Sequence, residues 1–295
     1  MKKDKSGFWG KIIITLCVII AIFAGGYFFL DRLVIPKYFG QYGINSVPDL
    51  VGVVSSLYKS PNESKLVTNG YTAVDLKNAI TKLQASGYKI ADDGTVNPDD
   101  YDNFKGDKPV SLTDKEFAAV CNKMVNDGML VDALPNLNYL NVLNITLLQV
   151  EITPEDESFD GEGYTSANMS LIIKIDTTDV REQIAEQMQT PLFLLNMIIP
   201  DTLYFSVSYD FDLTATDSDR TNGSIAINGR SAEQSELLIN LLIDFIFPEE
   251  DDMNLEKFTM AVGDVALKGI DALGNFKFMK DMGVNKENGF LINAK

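Results

Sequence analysis

An uncharged apolar segment near the N-terminus limits the folds open to this chain. Residues 12–30, IIITLCVIIAIFAGGYFFL, contain no charged side chain. A helix rises about 1.5 Å per residue, so a segment of this length reaches close to the roughly 30 Å hydrocarbon thickness of a bilayer. We therefore predict a transmembrane anchor over residues 12–30. A cleaved signal peptide is the alternative, although its apolar part normally has only about 7–15 residues.

Charges on the two sides of this segment predict its orientation. Lys2, Lys3, Lys5 and Lys11 precede it, and clustered lysines favour the cytoplasmic side of a membrane. We expect residues 1–11 to form a cytoplasmic tail. The bulk of the chain is then extracytoplasmic, and the protein is a single-pass protein of the cell membrane.

Composition excludes several classes of function. The chain has no histidine, which rules out Ser-His-Asp and Cys-His catalysis and zinc sites that contain histidine. Its formal net charge of −17 at pH 7 would repel nucleic acid. Its acidic clusters lie in segments that read as loops, where solvated charge is the ordinary explanation. We therefore expect a protein that is not an enzyme and does not bind nucleic acid.

Two regions follow the predicted anchor. Residues 31–109 form a juxtamembrane connector and a small α/β subdomain, with a helix at 73–86 and a hairpin that turns at Asp93–Gly94. Residues 110–295 form the exported α+β domain. Both regions contain a helix start of the capping-box type, in which Thr72 pairs with Asp75 and Thr113 pairs with Glu116.

Alternation of apolar and polar residues predicts antiparallel strands in the exported domain. The period of two is clear over residues 148–153, 169–176 and 203–213. Polar residues on the other face of these strands indicate that one side of the sheet is solvated. An Asn288–Gly289 turn is expected to close the sheet. The fold class is therefore α+β, an antiparallel sheet packed with apolar helices after one N-terminal transmembrane helix.

A nearly uniform apolar helix is predicted over residues 233–247. Such a helix is buried on most sides, borders an apolar ligand, or contacts the membrane. If it borders a ligand, it forms a groove with inward residues of the 203–213 strand. The candidate groove residues are Leu237, Leu238, Leu241, Leu242 and Phe245 of the helix, and Phe205 and Val207 of the strand.

A short acidic segment, PEDESFDGEGY, resembles the first half of a calcium-binding loop. Asp156, Ser158 and Asp160 occupy its first, third and fifth positions, but Ala167 stands where a bidentate glutamate is expected. The segment also reads as a polar loop between two strands. Weak calcium binding at these three residues is therefore the one cofactor that we consider.

The segment Leu112-Thr113-Asp114-Lys115-Glu116 and the order of elements around it resemble the YpmS-like single-pass exported proteins of Gram-positive bacteria. The resemblance implies a domain similar to tubular lipid-binding domains, in which a long apolar helix lies against a curved sheet. The 233–247 helix would then line an apolar groove.

Together these features predict a non-catalytic, membrane-anchored extracytoplasmic protein that binds lipid or another apolar envelope component. The alternative is a structural or scaffolding protein of the envelope that acts through protein–protein contacts. The expected partners are the membrane, through the N-terminal anchor, and either a lipid ligand or an envelope protein.

Overall fold

Two antiparallel sheets and several helices make up the part of the chain that the computed structural model describes, which confirms the α+β class. The chain divides into two compact units, residues 1–58 and residues 59–295. The described residues are 30–40, 44–57, 62–97, 104, 106–126, 144–187, 189, 191–215, 221–231, 240, 257, 259 and 275–293.

The described part of the first unit is helical. A π-helical turn, Leu30–Val34, runs into α1, Ile35–Phe39, and α2 follows at Val47–Leu57. None of the described helices is long and apolar enough to cross a membrane. The predicted anchor at 12–30 lies outside the described residues except for its last one, so it stays a prediction.

Five α-helices and a short 3-10 helix, Asp156–Ser158, are described in the second unit, and both predicted capping boxes are confirmed. Asp75 accepts a hydrogen bond from the N–H of Thr72 at 2.7 Å, and Glu116 accepts one from the N–H of Thr113 at 3.0 Å. Each bond satisfies a backbone donor that the helix itself leaves free. The helices are α3, Glu63–Leu66; α4, Ala73–Ala85; α5, Asp114–Asn126; α6, Thr178–Gln187; and α7, Leu192–Ile198.

The strands form one sheet of five and one sheet of three. Their orders are β2-β3-β4-β5-β6 and β1-β8-β7, and every described pairing is antiparallel. The strands are β1, Val110–Thr113; β2, Asn144–Pro154; β3, Ser166–Asp176; β4, Thr202–Asp212; β5, Thr221–Ile227; β6, Arg230–Ser231; β7, Asn275–Met282; and β8, Glu287–Asn293.

The predicted solvated face is present on the five-stranded sheet. Along β4 the buried residues alternate with more exposed ones, as the sequence period requires. On the exposed side Asn168 donates hydrogen bonds to Ser208 at 3.0 Å and to Asp210 at 2.8 Å. This polar ladder joins β3 to β4 at the water-facing surface.

The predicted turn at Asn288–Gly289 is wrong. Both residues lie within β8, and the chain turns instead between Met282 and Glu287. Glycine is needed at 289 for a different reason: a Cβ there would lie 2.1 Å from the carbonyl oxygen of Leu112. The Asn-Gly pair thus marks a close approach of two backbones and not a reversal of the chain.

The turn predicted at Asp93–Gly94 is present, but the strands expected on both sides of it are not. Ala91 donates its N–H to the carbonyl of Thr95 at 2.9 Å, and Gly94 has a φ of +86°. The flanking residues instead bury their side chains in the unit, with the rings of Tyr88 and Phe104 5.2 Å apart. Burial of these side chains therefore holds the segment in place, where a hairpin would have used backbone hydrogen bonds between two strands.

Phe278 of β7 joins the two sheets. Its ring is fully buried and lies 5.8 Å from Phe290 in its own sheet and 6.5 Å from Phe211 in the five-stranded sheet. Its backbone also exchanges two hydrogen bonds, of 2.8 and 2.9 Å, with Tyr164 in the loop between β2 and β3. Ring packing and backbone pairing at one residue therefore hold the sheets together.

Replacing Gly289 by alanine tests the close approach of β8 to β1. We expect Gly289→Ala to lower the free energy of unfolding by at least about 2 kcal/mol, because the new methyl meets backbone atoms that cannot rotate away. Thermal unfolding of the purified protein measures the change. The control Gly52→Ala lies in α2, where an added Cβ meets nothing within 4 Å, and should not destabilise. Equal effects of both substitutions would contradict the packing at Gly289.

Candidate functional site

The buried side of the five-stranded sheet is a continuous apolar surface, which we call the apolar sheet face. Antiparallel register places its residues in rows across the strands, for example Leu171, Val207 and Ile225. All its members are buried. The apolar sheet face consists of Val150, Ile152, Met169, Leu171, Phe205, Val207, Tyr209, Phe211, Ile225 and Ile227.

Two of the predicted groove residues lie on this face. Phe205 and Val207 point to the buried side of β4, and their exposed fractions are 7% and 2%. The other predicted members, Leu237, Leu238, Leu241, Leu242 and Phe245, lie outside the described residues. The structure therefore shows that Phe205 and Val207 share one buried face, and the groove itself stays a prediction.

Tyr209 is the polar member of the apolar sheet face. Its side chain is fully buried, and its hydroxyl has no hydrogen-bond partner among the described residues. Burial raises the pKa of this phenol above its usual range. The ring lies against Gly223 of β5, where a Cβ would approach it to 2.5 Å. Glycine at 223 thus makes room for the ring of Tyr209.

The tyrosine on the opposite face of β4 is satisfied. Tyr204 donates its hydroxyl to Glu63 at 2.8 Å, and Lys174 lies 3.2 Å from the same carboxylate oxygen. Burial and the neighbouring Glu63 raise the pKa of Tyr204 to about 12. Buried hydroxyls are normally hydrogen-bonded. Tyr204 follows this rule, whereas the Tyr209 hydroxyl has no such bond among the described residues.

The residues of the predicted calcium loop engage protein partners. Asp160 lies 2.6 Å from the ammonium of Lys277, and Asp156 lies 2.5 Å from that of Lys280. The Lys277 ammonium, together with backbone N–H groups, lowers the pKa of Asp160 to about 2. Ser158 donates its hydroxyl to the carbonyl of Glu155 at 2.7 Å. Two lysines thus stand where a cation would have to enter.

Within the described ranges, no group of three or more acidic or cysteine side chains is placed to hold a metal ion. Calcium at Asp156, Ser158 and Asp160 stays a prediction. Its binding would require the ammoniums of Lys277 and Lys280 to move away from the carboxylates.

Two cavities lie beside the turn that joins β7 to β8. Their volumes are about 540 and 450 Å³, and both are lined by Asn285 and Glu287. The larger one extends along β1 and the end of α4, and the smaller one extends to Asp114 and Glu151. The sequence did not predict these cavities, because residues 109–116 and 282–288 meet only in the folded chain.

Two buried carboxylates, Glu116 and Asp114, line these cavities, and they differ in their charge partners. Glu116 lies 2.6 Å from the ammonium of Lys82. The ammonium of Lys115, the residue next to Asp114, lies 3.2 Å from Glu287 instead. Asp114 is 5% exposed and accepts a hydrogen bond from the N–H of Lys115 at 2.7 Å. Burial raises the pKa of Asp114 to about 6, and the negative charges of Glu287 and Glu151 add to this shift.

The comparisons with known proteins give no relative for this site. No protein-family model matches the chain, and no curated protein or solved structure matches it significantly. The resemblance to the YpmS-like proteins therefore stays a prediction, and function has to be argued from the residues of the chain.

Replacing Asp114 by asparagine tests its raised pKa. A carboxyl whose pKa is higher in the folded chain than in the unfolded chain makes folding less favourable as pH rises from about 4 to about 6. Below pH 4 both states are protonated and the effect vanishes. We expect Asp114→Asn to be more stable than the wild type at pH 7, by on the order of 2 kcal/mol, and equal to it below pH 4.

Thermal unfolding of both proteins from pH 3.5 to 8 measures this difference. The exposed Asp179 provides the control, because Asp179→Asn should follow the wild-type pH profile. If the difference in stability between the wild type and Asp114→Asn stays constant over this pH range, the raised pKa of Asp114 is contradicted.

Replacing Lys277 and Lys280 by methionine tests the competition between lysine and calcium. We expect the double variant to bind calcium at least tenfold more tightly than the wild type, because two cations leave the carboxylates of Asp156 and Asp160. Isothermal titration with calcium measures the affinity. The control Lys65→Met/Lys77→Met removes the same charge elsewhere, and an equal gain there would show that only net charge matters.

Proposed function

We propose that this chain is a non-catalytic, membrane-anchored extracytoplasmic protein that binds a lipid or another apolar component of the cell envelope. The proposal depends on the buried hydroxyl of Tyr209 on the apolar sheet face, which has no hydrogen-bond partner among the described residues. A ligand inserted against this buried face would contact the apolar side chains with its hydrocarbon part. Its polar group could then supply the hydrogen bond that Tyr209 lacks among the described residues.

The energy of an unpaired hydroxyl supports this assignment. Burying a hydroxyl without a partner costs about 1–3 kcal/mol, and phenylalanine at the same place would avoid that cost. A ligand that hydrogen-bonds to the Tyr209 hydroxyl would explain why tyrosine, and not phenylalanine, occupies this position. The position of Tyr209 between Phe205 and Phe211 on the same face suits an amphipathic ligand with an ester or hydroxyl oxygen.

Binding fits the charged groups of the chain better than catalysis does. Asp156, Asp160 and Glu162 are paired with lysines, and Glu116 and Glu287 are also ion-paired. With no histidine in the chain, few groups could transfer protons near neutral pH. We accordingly propose a carrier or binding protein at the outer face of the membrane.

A structural or scaffolding protein of the envelope is the alternative. The tight contact of the Tyr209 ring with Gly223 favours it, since such packing is also typical of an ordinary core. In that case the apolar sheet face only fills the interior, and the protein acts through contacts at its surface.

Lipid extraction with two tyrosine variants distinguishes these functions. Residues 59–295, the second compact unit, are secreted without the predicted anchor, checked for a folded monomer, and extracted with organic solvent for mass spectrometry. We expect about one lipid per wild-type chain and at least tenfold less in Tyr209→Phe. Without lipid, Tyr209→Phe should be more stable than the wild type by about 1 kcal/mol, because an unpaired hydroxyl is removed.

Tyr204→Phe is the matched control. It removes a hydroxyl from the other face of the same strand, where the bond to Glu63 is already made, so it should keep the lipid. A folded wild type that yields no lipid would contradict the binding function and favour the scaffolding one.

A further inference from the structure

We propose a second binding site, at the free edge of strand β1, for an extended peptide segment of a partner protein. This site lies in the larger cavity beside the β7–β8 turn and is distinct from the apolar sheet face. The proposal does not depend on lipid binding.

The order β1-β8-β7 places β1 at the edge of its sheet. Val110 to Thr113 pair with Ile292 to Gly289 of β8 on one side only, among the residues that the structure describes. An edge strand exposes backbone donors and acceptors that another chain can pair with. Natural proteins use such edges to bind extended peptides.

Two bonds show which backbone groups point to the free side. The N–H of Thr113 donates to the side chain of Glu116 at 3.0 Å, so it points away from β8. In an antiparallel ladder, residues two apart direct their N–H and C=O groups to the same side. The N–H and C=O of Ser111 therefore also point to the free side. The carbonyl of Pro109, two residues earlier, accepts from the Ser86 hydroxyl at 3.4 Å and agrees with this direction.

Ser111 is the open position of this edge. Its neighbours at 109 and 113 are engaged by Ser86 and Glu116, but neither backbone group of Ser111 has a further partner among the described residues. Ser111 is also partly exposed and lines the cavity. The edge thus offers one donor and one acceptor, the pair that one residue of an added strand would use.

A cavity with room for part of a peptide lies beside Ser111. Its volume is about 540 Å³, and it lies between β1 and the C-terminal end of α4. Ala85 of α4 and Val284 of the β7–β8 turn form apolar parts of its wall. A peptide that pairs with Ser111 would therefore run between a strand and a helix.

The chemistry of the wall indicates an uncharged, apolar peptide. Val284 is 100% exposed, an unusual position for a valine, and an apolar side chain of the peptide would cover it. The charged wall residues Lys82 and Glu116 already neutralise each other at 2.6 Å. Glu287 is likewise paired with Lys115, so every charged wall residue that the structure describes has an opposite charge beside it.

Peptide selection on the full-length chain tests this site. A display library of random twelve-residue peptides is selected on the chain in phosphatidylcholine nanodiscs, after removal of peptides that bind empty nanodiscs. We expect selected peptides to bind at least tenfold more weakly to Val284→Asp and to Ala85→Arg. Both residues are exposed, so these variants should stay folded.

Two controls make the result specific. Val74→Asp introduces the same change at a 65% exposed valine of α4 that does not line the cavity, and it should leave peptide affinity unchanged. Methylation of one internal backbone nitrogen of a selected peptide should lower its affinity at least tenfold, because it removes the donor to Ser111.

Three results would overturn the proposal. The first is a library from which no peptide is enriched over empty nanodiscs. The second is a set of enriched peptides that bind Val284→Asp and Ala85→Arg as tightly as the wild type. The third is affinity that no backbone methylation changes, since side chains alone would then hold the peptide.

Discussion

The packing of Phe278 between the two sheets is the interaction on which the second unit depends. Its ring contacts Phe290 and Phe211, and its backbone pairs with Tyr164 from the loop that joins β2 to β3. The side chain of Asn288 adds a hydrogen bond of 2.7 Å to the carbonyl of Ile152. Aromatic rings bury large areas, so a few such contacts can join sheets that share no strand.

The pairing of Tyr164 with Phe278 also explains how several carboxylates can lie close together in the loop between β2 and β3. The loop that supplies Tyr164 carries Asp156, Asp160 and Glu162, and pairing with β7 brings Lys277 and Lys280 against them. Exposed ion pairs of this kind contribute little stability individually, but they relieve repulsion within the loop. At Asp114, by contrast, burial raises the pKa of the carboxyl, and the nearby charge of Glu287 adds to this shift.

Two positions depart from the general rule that buried polar groups are satisfied and edges are covered. Tyr209 has a buried hydroxyl without a partner among the described residues, and Ser111 has an open backbone pair beside a cavity. Local departures of this kind are expected at functional sites, where a ligand completes what the protein leaves open. If both proposals hold, the protein binds an apolar ligand and a protein partner at separate places in its second unit.

The sequence by itself determined the local structure: the capping boxes at Thr72 and Thr113, the alternating strands, the solvated sheet face and the inward position of Phe205 and Val207. Each depends on side chains a few residues apart, so a short stretch carries the whole signal. The tertiary structure decided the rest, since Gly289 serves a contact with Leu112, about 177 residues earlier in the chain, and not a turn. The lysines opposite the acidic loop and the burial of Asp114 and Tyr209 likewise arise from contacts between distant segments, which no local pattern records.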